Sequence, residues 1–446
     1  LNVSMPFTHG ELVNGTVYFY RVSAVNVNGE SLQLSEEAKA TAFPPFTKIL
    51  TKVTDPDVEL YDRFGYAVAI DGNDAIVGAP QSKVNDLTNA GAAYIFHKNE
   101  STGQWDPLGV RLVAPDAGSN SLFGSRVAIS GNYAIVGAPD HNQHNWNGGA
   151  AYVFHKDEIT GNWDGGTKIA RPYMMGAFYS NYGADVSISG DYAVVGDEWS
   201  EDVFVFHRTG ISAWDSVTVL PWPQEAESFD GFGRTVAISG DYVIVGAPSD
   251  CGVGNTKDSV GAAYIFHRTG ENAWDHYTKI MAFDGEVSDQ LGKAVAISGD
   301  YAIVGTSNKS DTSDGASFQA GAAYIFHRTG ENFWIEGTKI VAPDSESGDR
   351  FGRSVAITDK YALIGAWHED SASWNERAEA GAAYLYKRIG FNSWDSGTKI
   401  SIPAGDTADY FGWAVAISGE SAIIGAYGDD GSISETIYEA GAAYLY

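Results

Sequence analysis

The chain has 446 residues, with 57 Asp and Glu against 28 Lys and Arg, a formal net charge of −29 and a pI near 4.5. Such acidity argues against nucleic acid or an anionic membrane surface as a partner. No apolar stretch approaches the ~20 residues needed to insert into a bilayer, and a lone cysteine, Cys251, leaves no internal disulfide.

Residues 1–43 differ in character from the rest of the chain. The segment LVNGTVYFYRVSAVNVNGES alternates apolar and polar residues about a turn, as two strands do. It resembles the second half of a fibronectin type III domain, with Leu12, Thr16 and Tyr18 where that family's tyrosine corner lies. Half a sandwich leaves an apolar face, Val17, Phe19, Val22 and Val25 among its candidates, that needs a cover. The expectation is therefore a segment of a larger multidomain protein, or a second subunit that supplies the missing strands, with Phe43, Pro44 and Pro45 as a short stiff linker into a second domain over 44–446.

From Phe64 onward one pattern is written seven times. Its opening dipeptide recurs at Phe64, Phe123, Tyr182, Phe232, Leu291, Phe351 and Phe411, at steps of 59, 59, 50, 59, 60 and 60 residues. A fixed period of this size marks a repeat architecture. In the copy from Phe232, VAIS is followed by Gly240 and Asp241, then YVIVGAP, a variable loop, GAAYIFHR, Trp274 and TKI. Short β-branched runs bounded by Gly, Asp and Pro read as strands, the first two closed by a tight turn into an antiparallel hairpin. Each unit is thus a four-stranded meander, and small sheets of this kind become stable as the blades of a propeller. The seventh unit stops at Tyr446 without its TKI strand, while Phe46, Thr47, Lys48 and Ile49 precede the first unit and match Thr398, Lys399 and Ile400. The expected fold is all-β: a seven-bladed β-propeller of four-stranded antiparallel blades, whose last blade is closed by an N-terminal strand, plus the half fibronectin type III sandwich. The recurring Trp105, Trp163, Trp214, Trp274, Trp334 and Trp394 are expected to pack between blades.

The FG…GAP…GAAYIF pattern resembles the FG-GAP repeat, the blade unit of the integrin α-subunit propeller. That resemblance implies a seven-bladed propeller used outside the cytoplasm for adhesion or ligand recognition. It also implies a calcium loop of alternating aspartates between the first two strands. Here that position holds only short turns such as Gly72–Asn73 and Gly299–Asp300, too small to encircle an ion that takes six to eight oxygens.

Residues that recur in nearly every blade read as architecture, and those peculiar to one blade as candidates for a site. His97, His155, His207, His267 and His327 fall in the first group. So do the aspartates two residues before FG: Asp62, Asp230, Asp289, Asp349 and Asp409, with Ser121 and Ser180 in the other blades. Their structural reading is a turn cap. Together with acids five residues earlier, among them Asp284 and Asp344, they could instead hold a divalent cation, Ca²⁺ being the one suited to clustered oxygens.

The loops between second and third strands vary most, and variable loops on a rigid scaffold are where recognition normally sits. Trp146, Trp199, Trp367, Trp374 and Tyr427 fall in or beside them, either as platforms for a sugar ring or as local packing. Arg234, Lys293 and Arg353 follow FG in three consecutive blades and should converge at the mouth of the central channel. There they either neutralise neighbouring aspartates or meet an anionic ligand. His141 and His144 beside Asp140 are a weaker transition-metal candidate, and Asn2, Asn14, Asn99 and Asn308 open glycosylation sequons. No HExxH, GxSxG or phosphate-loop string is present. The expectation is a non-catalytic extracellular or cell-surface module that binds a glycan or a surface or matrix protein. The alternative is a building block of a filament or sheath, assembled from copies of itself. The one cofactor candidate is Ca²⁺, at the recurrent aspartates.

Overall fold

In the computed structural model, four antiparallel strands recur seven times between Thr51 and Leu445. The described residues are 51–57, 59–143, 146–172, 180–214, 217–223, 230–252, 254, 256–275, 277–310, 318–370, 379–402, 408–430 and 439–446, together with the backbone of four short strands near the N-terminus. The fourth blade shows the plan. Its inner strand Thr235–Ser239 turns through two residues into Tyr242–Ala247, with Ser239 opposite Tyr242. Ala262–Gly270 follows, and Thr278–Ile280 forms the outer edge. The alternation and tight turns of the sequence dictate these pairings locally.

The inner strands Ala67–Asp71, Arg126–Ser130, Tyr182–Ser189, Thr235–Ser239, Ala294–Ser298, Phe351–Ile357 and Ala414–Ser418 pack each on the next, and the last on the first. This closed cycle makes the ring a seven-bladed propeller. The core lies between blades. One apolar cluster joins Val68, Tyr94 and Phe96 of the first blade to Ile423, Ala443 and Leu445 of the seventh. The residue opening each FG pair is fully buried in all seven blades. Burying each contributes roughly 2–3 kcal/mol. The expected inter-blade tryptophans are found there: Trp214, Trp274, Trp334 and Trp394 meet Tyr133, Tyr192, Tyr242 and Tyr301 of the preceding blade edge-on. Four of the recurring histidines, His155, His207, His267 and His327, lie on the same tyrosines, as His267 does on Tyr242 at 4.7 Å, whereas His97 meets Asp74 at 2.8 Å.

The two glycines of the repeat have one explanation. The glycine of GAP in each blade lies against the carbonyl of the FG glycine in the next, so closely that a Cβ on Gly78 would stand 2.0 Å from the oxygen of Gly124. Gly425 meets Gly65 in the same way and completes the circle.

The closing strand is not the expected one. Thr51–Val53 pairs with Ala442–Leu445 and places Lys52 opposite Tyr444, as Lys399 lies opposite Tyr384. The segment Thr47–Ile49 lies outside the described residues, four positions too early. Near the N-terminus, Val17–Tyr20 pairs antiparallel with Ala38–Thr41, and Val25–Asn26 with Gly29–Glu30. These strands belong to a compact unit separate from residues 50–445. Leu12 and Thr16 of the expected tyrosine corner lie outside the described residues. Among the described residues no helix is long and apolar enough to cross a membrane.

Candidate ligand site at the central channel

The first two residues after each FG glycine stand at the start of the inner strands, around the axis. Two connected cavities of about 490 and 200 Å³ lie there, and both are lined by Tyr66, Arg126, Thr235, Lys293 and Arg353. Arg234, Arg350, Glu198, Asn308 and Trp367 line the wider part, Asp185 and Trp413 the narrower. Arg234, Lys293 and Arg353 therefore share one cavity, joined by Arg126 and Arg350.

These five cations outnumber the lining carboxylates Asp140, Glu198 and Asp185. Arg234 pairs with Glu198 at 3.0 Å, and Arg126 faces Asp185 at 3.4 Å. Lys293 and Arg350 instead both donate to the amide oxygen of Asn308, at 3.1 and 2.8 Å. Arg353 lies over the ring of Trp413, 4.0 Å from its centroid. None of these three is ion-paired with a carboxylate among the described residues. Burial, reinforced by Arg234, Arg350 and Arg353, pushes the Lys293 ammonium down to about 8. Burial and the neighbouring Arg126 push the Arg353 guanidinium down to about 10. Both shifts show that positive charge is disfavoured where these groups are held.

An aromatic cluster backs the cations on one side. Trp413 packs on Tyr66, Trp367 and Tyr427, and Tyr427 stacks on Tyr410. It draws together two of the expected aromatics, Trp367 and Tyr427. Trp199 is exposed and lines neither cavity. Trp146 sits in a two-residue strand with its side chain outside the described residues, as is Trp374. The sequence reading missed Arg126, Asp185, Arg350, Tyr66 and Trp413. A signal existed for four of them, since each falls within the two positions after an FG glycine where, Arg234, Lys293 and Arg353 apart, the remaining blades carry Ala, Ser or Thr.

The recurrent aspartates are engaged elsewhere. Asp62, Asp289 and Asp349 are buried and accept the backbone N–H of Glu59, Glu286 and Glu346, each at 2.6 Å, as turn caps do. Asp230 and Asp409 are buried at the same position of the repeat. Asp284 accepts from the Tyr324 hydroxyl and from Lys339 at 2.8 Å, and Asp344 from Tyr384 at 2.8 Å and Lys399 at 2.9 Å. Among the described residues no three His, Cys, Asp or Glu side chains are grouped to hold a metal ion. His141 is buried between Ser121 and Asp116, and its proposed partner His144 lies outside the described residues. Of the sequons, Asn2 and Asn14 lie outside the described residues. The Asn99 side chain caps its own turn, and Asn308 is held in the cavity between Lys293, Arg350 and Gln290.

The third blade departs from the plan. Phe204 replaces the strand-three tyrosine, and Arg171 pairs with the fully buried Asp197 at 2.8 Å. Comparison with known families gives the same division. The FG-GAP repeat matches residues 50–96, 109–154, 222–266, 274–326, 334–386 and 394–446. The chain belongs to the FG-GAP repeat family. Within the third blade, residues 182–204 match the LVIVD repeat instead. No curated protein matches the chain.

Similar solved structures include a candidate 6-phosphogluconolactonase from Bacteroides uniformis ATCC 8492, 15% identical, with a TM-score of 0.48 over 76% of this chain and 85% of that one. The periplasmic gluconolactonase PpgL of Pseudomonas aeruginosa is 12% identical, with a TM-score of 0.46 over 86% and 93%. Virginiamycin B lyase from Staphylococcus aureus is 9% identical, with a TM-score of 0.47 over 89% and 98%. The named activities are those of enzymes, which runs against the expectation of a non-catalytic adhesion module. At such identities the likeness shows the fold alone, and no activity is carried over from it.

Proposed function

We propose that this FG-GAP propeller binds a small anionic molecule in the cavity at its central channel. The observation that carries this is the convergence of Lys293, Arg350 and Arg353, without an ion-paired carboxylate among the described residues, in a chain of net charge −29. An anion relieves the mutual repulsion of these groups and accepts hydrogen bonds from two planar guanidinium forks. A cavity of about 490 Å³ has the size of a small-molecule site.

A ligand that binds only the folded state raises the unfolding midpoint by mass action. Sulfate should therefore raise the midpoint of the native chain more than an equal ionic strength of chloride, and Lys293→Gln with Arg353→Gln should shrink the difference to the part that comes from sulfate's general exclusion from protein surfaces. Equal midpoints in the two salts for the native chain would overturn the proposal.

The reading of residues 1–43 as part of a fibronectin type III domain, and of the chain as extracellular, rests on the two family resemblances given above. Loss of antibody-detected chain from intact cells on protease treatment tests the location; full protection would refute it.

A further inference from the structure

Within the narrower part of the cavity, Asp185 is the one carboxylate among the described lining residues. It lies on the inner strand of the divergent third blade, where the equivalent residues are Ala67, Thr235, Ala294, Ser354 and Ala414 in five other blades and Arg126 in the second. A carboxylate here opposes a simple anion, so the site is not shaped for one alone. One oxygen of Asp185 accepts the Val236 N–H at 2.8 Å, and the other stands 3.4 Å from the Arg126 Nε. An ionised carboxylate has about four acceptor positions, more than these contacts and the Val186 N–H occupy, and Asp185 lines the cavity. What such a group recognises is a hydroxyl donor. Thr235 and Ser354 add polar atoms to the same part of the cavity, and Asn308 and Asn181 to the wider part. The aromatic side of the cavity fits a polar ligand better than a flat apolar one, because the Trp413 ring carries the Arg353 guanidinium and packs on Tyr66 and Trp367.

We infer that the ligand is a polyhydroxylated carboxylic acid, a sugar acid, whose carboxylate is held by Lys293, Arg350 and Arg353 and one of whose hydroxyls donates to Asp185. The inference rests on the anion-binding reading above and names the class of molecule it admits. A hydroxyl-reading site rejects an analogue that lacks the hydroxyl, because its buried polar groups are then left unpaired.

The test is calorimetric titration of the full chain with D-gluconate, D-glucuronate, D-glucose, hexanoate and sulfate. Gluconate and hexanoate share chain length and carboxylate and differ in the hydroxyls. At least one of the two sugar acids should bind about tenfold or more tighter than hexanoate, and glucose should not bind. Asp185→Asn should weaken that sugar acid by about tenfold or more and leave sulfate unchanged or tighter, since a negative charge has been removed. A general loss of structure would weaken both. Hexanoate equal to both sugar acids, or equal weakening of sugar acid and sulfate in Asp185→Asn, overturns the inference. If Asp185→Asn does not fold, the hexanoate comparison in the native chain decides alone. Binding of sulfate without either sugar acid overturns the sugar-acid inference and leaves the anion site standing. Binding of no anion at all removes both.

Discussion

Lys52 lies directly opposite Tyr444, and its ammonium reaches Asp429 at 2.7 Å, where the Tyr444 hydroxyl also donates. The same three residue types meet in the fourth blade as Tyr264, Asp250 and Lys279, and in the fifth as Tyr324, Asp284 and Lys339. The seventh blade is thus completed by residues from the other end of the propeller, with the chemistry the other blades supply internally.

If that strand closes the ring, its buried residue should bear heavily on stability. Val53 is 3% exposed and belongs to the cluster between the seventh and first blades. Val53→Asp places an unpaired charge there and should cost about 4 kcal/mol. Chemical denaturation measures it, and a cost near zero would mean the blade is closed otherwise.

Two glycine substitutions separate close approach from backbone strain. A Cβ on Gly365 would stand 1.9 Å from the carbonyl oxygen of Gly412 in the next blade, whereas Gly72, at φ +56°, has nothing within 4 Å. Gly365→Ala should cost about 3 kcal/mol or more through overpacking. Gly72→Ala should cost about 1 kcal/mol through strain alone. Denaturation midpoints of the two variants, compared side by side, check the order.

Lys293 gives the channel a pH signature. Its folded value, about 8, lies below the ordinary 10.5, so between these pH values the unfolded chain binds more protons and this group's contribution to stability rises with pH. Lys293→Met should therefore be more stable than the native chain at pH 7, with the gap narrowing as pH rises from about 8 toward 10.5. Sulfate stabilisation of the native chain should shrink over the same window, because the cation that holds the anion is lost. Thermal midpoints at pH 7 and 9.5 test both.

In the sixth blade, Asp349 sits beside Glu369, and burial together with that like charge holds its carboxyl well above the usual range. A raised carboxyl contributes stability that is full below its unfolded value of 3.8 and is lost as pH rises toward the folded value. Asp349→Asn keeps an acceptor for the Glu346 N–H and supplies a donor to Glu369. It should match the native chain at pH 4 and exceed it at pH 8. The fifth blade shows another solution to the same crowding, with Lys309 in place of Glu369 and 2.7 Å from Asp289.

The blades were legible in the sequence because they are built from local interactions. A two-residue turn such as Gly240–Asp241 and the period-2 alternation around it specify a hairpin without reference to anything distant. Seven copies in phase then leave a ring as the way to bury both faces of each sheet. The closing register was not legible. FTKILTKV contains Thr47–Lys48–Ile49 and Thr51–Lys52–Val53, four residues apart, so both present the same alternation to Tyr444. The long-range pairing of Lys52 with Asp429 and the burial of Val53 decide between them.

The channel divides in the same way. Arg234, Lys293 and Arg353 share one position of the repeat, and the period alone placed them at one level of the ring. That Arg126, Arg350 and Asp185 stand beside them depends on the tilt of the inner strands and the course of the loops. These are set by packing between blades and not by any local run of sequence. Repetition determined the architecture, because each blade repeats the same local pairings. Ring closure alone decided the site, because it gathers single residues from different blades around one axis.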